Sequence, residues 1–350
     1  MGPLREHDRL AAKVPGMLAG LLGVDLAEVE TQADDASGAD LIVKAGPTFV
    51  VEAKWSTNAA AVAAAAKQAL GYSARIRKRT VPLVAVPFMG EVGRKACEEA
   101  GVSWLDLSGN ARIIAPGIRV IVEGKPNRFK TAGRPRSVFA PKSSRIIRWL
   151  LIHADEHLTQ REIAHATGLD EGMVSRLVAR LTADDYLVRD DSGAVQAKSP
   201  TLLLDAWRDA YQFSRHTLLQ GHIAARSGDA LLRFVGDTLS EHGVEHAATG
   251  LAAAWALTRF ASFRLATVYL PVDPSPDLVE RLGFREDPRG SNLWLVVPND
   301  SGVFQCAVEK DGIRCVHPVQ VYLDLKEHPE RSAEAADRLR TELVTWSRHG

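Results

Sequence analysis

The chain is expected to adopt an α/β fold in three parts: an N-terminal α/β domain, a central winged helix-turn-helix and a C-terminal mixed α/β domain. Three observations point there. Strand-like and helix-like segments alternate over residues 40–122; a capping box, a turn glycine and a short hairpin follow one another over 144–198; and alternation resumes beyond 200. The expected boundaries are 1–123, a basic linker at 124–143, 144–199 and 200–350. A length of 350 residues suits two or three domains, each able to bury its own core.

The first element with chemistry is a hairpin. Gly38-Ala39-Asp40-Leu41-Ile42-Val43 is followed by a break at Ala45-Gly46-Pro47 and then by Phe49-Val50-Val51-Glu52-Ala53-Lys54-Trp55. A three-residue loop centred on Gly46 makes paired positions sum to about 92, so Asp40 lies opposite Glu52 and Lys54 follows on the same face. Leu41, Val43, Phe49, Val51 and Ala53 take the other face, which is expected to be core. Opposed carboxylates with Cβ atoms about 5 Å apart repel unless a cation lies between them. Oxygen ligands suit Mg²⁺ or Mn²⁺, and Lys54 would stand beside the bound water and a phosphate. Residues 56–78 are Ala-rich and read as a helix capped by Ser56 or Thr57, with Gln68 and Tyr72 sharing a face.

Asp40, Glu52-Ala53-Lys54 and Gln68-Ala69-Leu70-Gly71-Tyr72 together resemble the PD-(D/E)xK nuclease superfamily in its RecB-like branch. The resemblance implies a restriction endonuclease-like domain in which Asp40, Glu52 and the Ala53 carbonyl bind the metal. Asp40, Glu52, Lys54, Gln68 and Tyr72 would then be the catalytic set, with Gln68 and Tyr72 positioning substrate. An acidic residue from an upstream element often joins this set in the family, and Glu28 and Glu30 are the candidates. Degenerate members keep the fold as a binding module, which is the alternative for this domain.

Strands are expected at 81–89, 102–107 and 118–122, with a helix at 90–101. The run Gly101-Val102-Ser103-Trp104-Leu105-Asp106-Leu107-Ser108-Gly109-Asn110 resembles the late strand of restriction-type members. Asp106 either supports the site or ends a strand and caps the turn after it. Residues 124–144 then carry Pro126, Pro135 and Pro141 with Lys125, Arg128, Lys130, Arg134, Arg136 and Lys142 and no acidic residue. This basic linker includes Gly133-Arg134-Pro135-Arg136, similar to an AT-hook core, in which Arg134 and Arg136 would enter a narrow minor groove; a solvated tether is the other reading.

Residues 144–152 have helical periodicity, and Thr159-Gln160-Arg161-Glu162 is a capping box that opens the next helix. Ala164, Gly168 and Val174 occupy the crossing, turn and anchor positions of a helix-turn-helix. A third helix over 170–181 turns Val174, Leu177 and Leu181 inward and Glu171, Ser175, Arg176 and Arg180 outward. Residues 187–198 form a strand, a Gly-containing turn and a strand, which is a wing. The segment resembles MarR-like winged helices, and the resemblance places Ser175, Arg176 and Arg180 in a major groove of double-stranded DNA. Protein interaction is the competing use of such a module.

Beyond it, helices are expected at 202–225, 230–242 and 332–346, and strands at 265–270, 293–297 and 303–308. Ala248-Thr249-Gly250-Leu251-Ala252-Ala253, Val268-Tyr269-Leu270 and His317-Pro318-Val319-Gln320-Val321-Tyr322-Leu323-Asp324-Leu325 resemble the C-terminal domain of AbiEi-type antitoxins of type IV toxin–antitoxin systems. That fold is related to nucleotidyltransferases, but a Gly-Ser followed by paired Asp residues is not found, so a dimerising or partner-binding domain is expected. Gln320 and Asp324, four apart, fit the start of a helix and carry no assigned role.

The 43 basic and 43 acidic residues cancel, so attraction to nucleic acid has to be local. Three scattered cysteines, without a signal-like or membrane-spanning segment, suit the reducing cytoplasm. The leading expectation is a Mg²⁺-dependent deoxyribonuclease directed by a winged helix, in defence, restriction or repair. The alternative is a DNA-binding regulator of the antitoxin kind with a retired nuclease domain. Expected partners are double-stranded DNA, a second copy of the chain, and a protein bound through the C-terminal domain.

Overall fold

The computed structural model describes residues 6–32, 38–56, 58–76, 80–129 and 138–346. It divides into two compact units, Met1–Pro135 with Ala183–Tyr186, and Arg136–Thr182 with Leu187–Gly350. Arg134 and Arg136, the minor-groove candidates, lie outside the described residues, as does Thr57.

In the first unit α1 (Glu6–Ala11), α2 (Val14–Leu22), β1 (Glu30–Gln32), β2 (Leu41–Lys44), β3 (Thr48–Ala53), α3 (Ala59–Arg75), β4 (Thr80–Val86), α4 (Glu91–Glu99), β5 (Ser103–Asp106), β6 (Ala111–Ala115) and β7 (Ile118–Val122) follow in order. The seven strands lie in the sheet in that same order. The β3–β4 and β4–β5 pairs are parallel and the others antiparallel, because α3 and α4 supply the two crossovers that parallel neighbours need.

The sheet buries both faces. Val43, Phe49, Val51, Ala53, Leu83 and Ala85 pack with Leu10, Val14 and Leu18 of the N-terminal helices. Val84, Val86 and Trp104 pack on the other side with Val62, Ala65 and Ala66 of α3. The small residues of the Ala-rich helix let it lie close on the sheet. Its cap is Asn58, whose Oδ1 accepts from Ala61 N at 2.8 Å, and not Ser56, whose hydroxyl instead accepts from Asn58 N and Nδ2 at 3.3 and 2.8 Å. The start of the basic linker is also anchored: Lys125 N donates to Asn110 Oδ1 at 2.8 Å, and Trp55 meets Phe129 edge-on at 6.1 Å.

The second unit opens with α5 (Pro141–Ile152), α6 (Gln160–Thr167), α7 (Glu171–Ala183), β8 (Leu187–Arg189) and β9 (Val195–Ala197). Helix α5 begins three residues earlier than the periodicity implies, because Pro141 takes the first-turn position where its missing N–H costs nothing. The capping box at Thr159 and Glu162 forms in full, and α6 ends on Gly168 at φ +65°. Val174, Leu177 and Leu181 are buried as expected, and Val178 joins them.

The remainder comprises α8 (Pro200–Ala210), β10 (Thr217–His222), α9 (Gly228–Glu241), β11 (Ala247–Thr249), α10 (Gly250–Thr258), β12 (Ala266–Tyr269), α11 (Pro276–Leu282), β13 (Arg285–Glu286), β14 (Leu293–Val297), β15 (Val308–Lys310), β16 (Ile313–Cys315), α12 (Pro318–Asp324) and α13 (Ser332–Leu343). The strands form a mixed sheet in the order β13-β10-β14-β12-β11-β16-β15. Two expectations fail here. The helix read over 202–225 stops at Ala210, and 217–222 is a strand that gains a full antiparallel partner in β14, which outweighs the helical pattern of its leucines. The strand read over 303–308 is replaced by a 3-10 turn at Ser301–Phe304, started by Asp300 accepting from Gly302 N at 2.8 Å.

Candidate functional site

The observed hairpin pairs Leu41 with Val51 and Val43 with Phe49, the register read from the sequence. Asp40 extends it: its Oδ2 accepts from Ala53 N at 2.9 Å, which fixes the carboxylate against the end of β3. Glu52 is 2 % exposed, beside Val84 on the face covered by α3, and its Oε1 takes Lys54 Nζ at 2.6 Å. Burial works against the charge on Lys54, but the bond to Glu52, the charge of Glu52 and that of Asp40 outweigh it, so the ammonium is held above the ordinary lysine value. Lys54 is therefore a fixed positive charge, suited to stabilising an oxyanion and not to accepting a proton.

Tyr72 belongs to the same cluster, since its ring lies 3.2 Å from where a Cβ would stand on Gly38, two residues before Asp40. Gly38 adopts φ +83°, so the close approach and the backbone both require glycine there. Gln68 is exposed one turn earlier on α3. The upstream candidates do not join: Glu30 pairs with Lys44 at 2.7 Å near the opposite end of the hairpin, and Glu28 precedes it in an exposed 3-10 turn.

Asp106 acts in a turn. Wholly buried, it accepts from Met89 N at 3.1 Å, Asn110 N at 3.0 Å and Asn110 Nδ2 at 2.9 Å, tying the β4–α4 connection to the β5–β6 turn.

Among the described residues no group of three or more His, Cys, Asp or Glu side chains is arranged to hold a metal. The oxygen donors at Asp40, Glu52 and the Ala53 carbonyl nevertheless fit Mg²⁺ or Mn²⁺ in kind, because Mg²⁺ is commonly held by one or two carboxylates and completes its shell with water.

On α7, Ser175 and Arg176 are exposed and Arg180 is half-buried, all on the side away from Val174 and Leu177. Asp170 caps the helix, accepting from Met173 N at 2.7 Å. The wing turn is held by the Asp190 carboxylate, which accepts from Ser192 N, Ser192 Oγ and Ala194 N. Two exposed cations were not singled out from the sequence: Arg161 on α6, 3.9 Å from Glu171 of α7, and Arg189 on the wing.

A second polar cluster went unread in the sequence. Arg148 of α5 is 2 % exposed and donates Nη2 to Gln320 Oε1 at 2.6 Å. Gln320 passes its Nε2 to Asp324 Oδ1 at 2.7 Å, and Asp324, fully buried, also accepts from Tyr211 and Thr249 hydroxyls. Burial pushes Asp324 up to about 6 despite those bonds. His216 accepts at Nδ1 from Asn299 N at 3.1 Å, so its proton sits on Nε2 and points to Tyr211 Oη at 2.8 Å. Burial and the nearby Arg148 pull His216 down to about 4, leaving it neutral at pH 7. One signal was available: Arg148 interrupts the apolar run Ile146-Ile147-Arg148-Trp149-Leu150-Leu151, where a charge must be buried.

Among the described residues no helix is long and apolar enough to cross a membrane. Neither a curated protein nor a solved structure matches the chain. Residues 140–195 match the MarR family. Residues 196–345 match the family described as "Transcriptional regulator, AbiEi antitoxin, Type IV TA system". The second unit thus carries a MarR-like winged helix followed by an AbiEi antitoxin-type domain.

Proposed function

We propose that this protein is a transcriptional regulator of the antitoxin kind, which binds double-stranded DNA through its winged helix. The observation that carries the reading is α7: Ser175 and Arg176 stand exposed on a helix anchored by a buried inner row, beside a two-stranded wing. Ser175, Arg176 and Arg180 enter the major groove, and Arg161 and Arg189 reach phosphates. The C-terminal domain supplies a dimer contact or a protein partner. The binding site is found by selection from random duplexes with the full chain. On the selected duplex Arg176→Ala is expected to weaken binding about tenfold or more, the loss of one groove-contacting arginine. Unchanged affinity at matched salt would remove the winged helix as the reader.

A second reading is favoured by the hairpin register. Asp40, Glu52 and Lys54 meet at one strand end, as phosphodiester hydrolysis with Mg²⁺ or Mn²⁺ requires. Asp40, Glu52 and the Ala53 carbonyl would hold the ion, which supplies a polarised water; Lys54 stabilises charge on the phosphate, and Tyr72 and Gln68 position the strand. In this reading the first unit is a deoxyribonuclease that the winged helix localises, in defence, restriction or repair. Supercoiled, linear and single-stranded DNA should be cut with Mg²⁺ or Mn²⁺ and not with EDTA. Glu52→Gln should lower the rate at least a hundredfold while leaving duplex binding intact. Absence of cutting by the wild type on every substrate and metal, with duplex binding intact, sinks this reading and leaves the first standing.

A further inference from the structure

Arg148 is a desolvated charge whose own hydrogen bonds go to neutral groups, with the carboxylates of Asp300 and Asp324 acting on it only at longer range. Its Nη2 and Nη1 go to the neutral acceptors Gln320 Oε1 and Gln305 Oε1, at 2.6 and 3.4 Å, and its Nε, also buried, has no acceptor. Trp207 lies 5.2 Å from the guanidinium carbon and offers only a ring face. Burial pulls the guanidinium below its ordinary value, as expected for a cation removed from water. Such a group is costly to keep buried unless a counter-charge reaches it.

A cavity of about 40 Å³ adjoins it, lined by Arg148, Arg215, His216, Tyr211, Asn299 and Gln320 among others. Pro141, Ser144 and Asp300 also contribute. Pro141, Ser144 and Arg148 share one face of α5, so the cavity lies along the first turns of a 12-residue helix, and no side chain caps that helix at Ala140. Pro141 has no N–H, and Ser144 N and Oγ are bonded to Ala140 O and Pro141 O, so α5 adds only the field of its positive end while the buried guanidinium supplies the donor. The lining carboxylate, Asp300, is already neutralised by Arg145, whose Nε and Nη2 reach its two oxygens at 2.7 and 2.8 Å. His216 is neutral, and Arg215 adds an exposed cation at the wall. Asp324, behind Gln320 and Tyr211, is mostly ionised at pH 7 with its value at about 6 and offsets one of the two cations, Arg148 and Arg215, so the remaining balance is one positive charge.

We propose that this cavity is a binding site for a phosphate-sized oxyanion, held by Arg148 and Arg215 in the field of the amino end of α5. Its volume suits one such group and leaves no room for a sugar and base within it. Arg148 comes from the winged helix and Gln320 and Asn299 from the C-terminal domain, so an occupant braces those two parts together. The site is independent of whether α7 reads DNA.

The test is calorimetric titration of the full chain with inorganic phosphate and, separately, with adenosine monophosphate, in chloride buffer of fixed ionic strength. Saturable phosphate binding near one per chain is expected. It should weaken about tenfold or more in Arg148→Gln and about threefold in Arg215→Ala, in keeping with charge-assisted contacts. Arg215 is exposed, so its variant keeps the native circular dichroism and preserves the test if Arg148→Gln fails to fold. Saturation by both ligands supports the site, and the lower half-saturation concentration identifies whether the group is free or carried on a nucleotide. Absence of saturation by either, or saturation undiminished in Arg215→Ala, overturns the proposal.

Discussion

Urea unfolding of the full chain is expected to show stability falling steeply as the pH drops from about 6.5 toward 4, and Asp324→Asn should make the fall steeper. His216, His317 and His328 are each pulled from 6.5 to about 4, by burial above all. A depressed histidine refuses in the folded state a proton that the unfolded chain takes, so its stabilisation is present above 6.5 and lost as the pH falls through 4. Asp324 runs the other way. Raised from 3.8 to about 6, it holds a proton when folded that the unfolded chain releases, so its contribution is full below 3.8 and lost as the pH rises through 6.

Three histidines against one carboxyl leave two protons taken up on unfolding between pH 4 and 6, on the order of 3 kcal/mol per pH unit. In Asp324→Asn the opposing carboxyl is gone and the slope grows by about 1.4 kcal/mol per pH unit. Five of the seven tryptophans, Trp149, Trp207, Trp255, Trp294 and Trp346, lie in the second unit, so tryptophan fluorescence follows the transition concerned. The asparagine also disturbs the Tyr211 and Thr249 hydrogen bonds, which changes absolute stability; the slope is the quantity to compare. Equal slopes in the two proteins would show that Asp324 titrates normally.

Asp106→Ala should destabilise the first unit by about 3–5 kcal/mol. The substitution strands Met89 N, Asn110 N and one of the two Asn110 Nδ2 hydrogens in a buried place, at about 1–3 kcal/mol each before relaxation. Loss of the Asn110 position would also release Lys125, whose N and O both bond to that side chain. Trp55 and Trp104 report the unfolding of this unit, and Trp104 is two residues away on the same strand. A loss below about 1 kcal/mol would mean that the turn holds itself without the carboxylate.

Local chemistry made much of the chain legible. The hairpin register follows from a glycine at the turn and from alternation that leaves a single way to bury Val43, Phe49 and Val51. The winged helix is read from Thr159, Glu162, Gly168 and Val174, each of which satisfies a requirement met within a few residues. The strand at 217–222 was not legible, because its state is chosen by β14, more than 70 residues away, and not by its own leucines. The Asn58 cap was missed since three neighbouring polar residues compete for the position and only the path of the chain selects one.

Periodicity and capping act over one or two helical turns, and so the α/β class, the winged helix and the outward residues of α7 are readable from the residues alone. Long-range packing keeps Glu30 at the far end of the hairpin, puts Asp106 in a turn, and gathers Arg148, Gln320, Asp324, Tyr211 and His216 into one cluster. Those residues span 177 positions of the chain, from Arg148 to Asp324. Burial, which sets their charges, is a property of the packed whole and leaves no local trace beyond a lone arginine in an apolar helix.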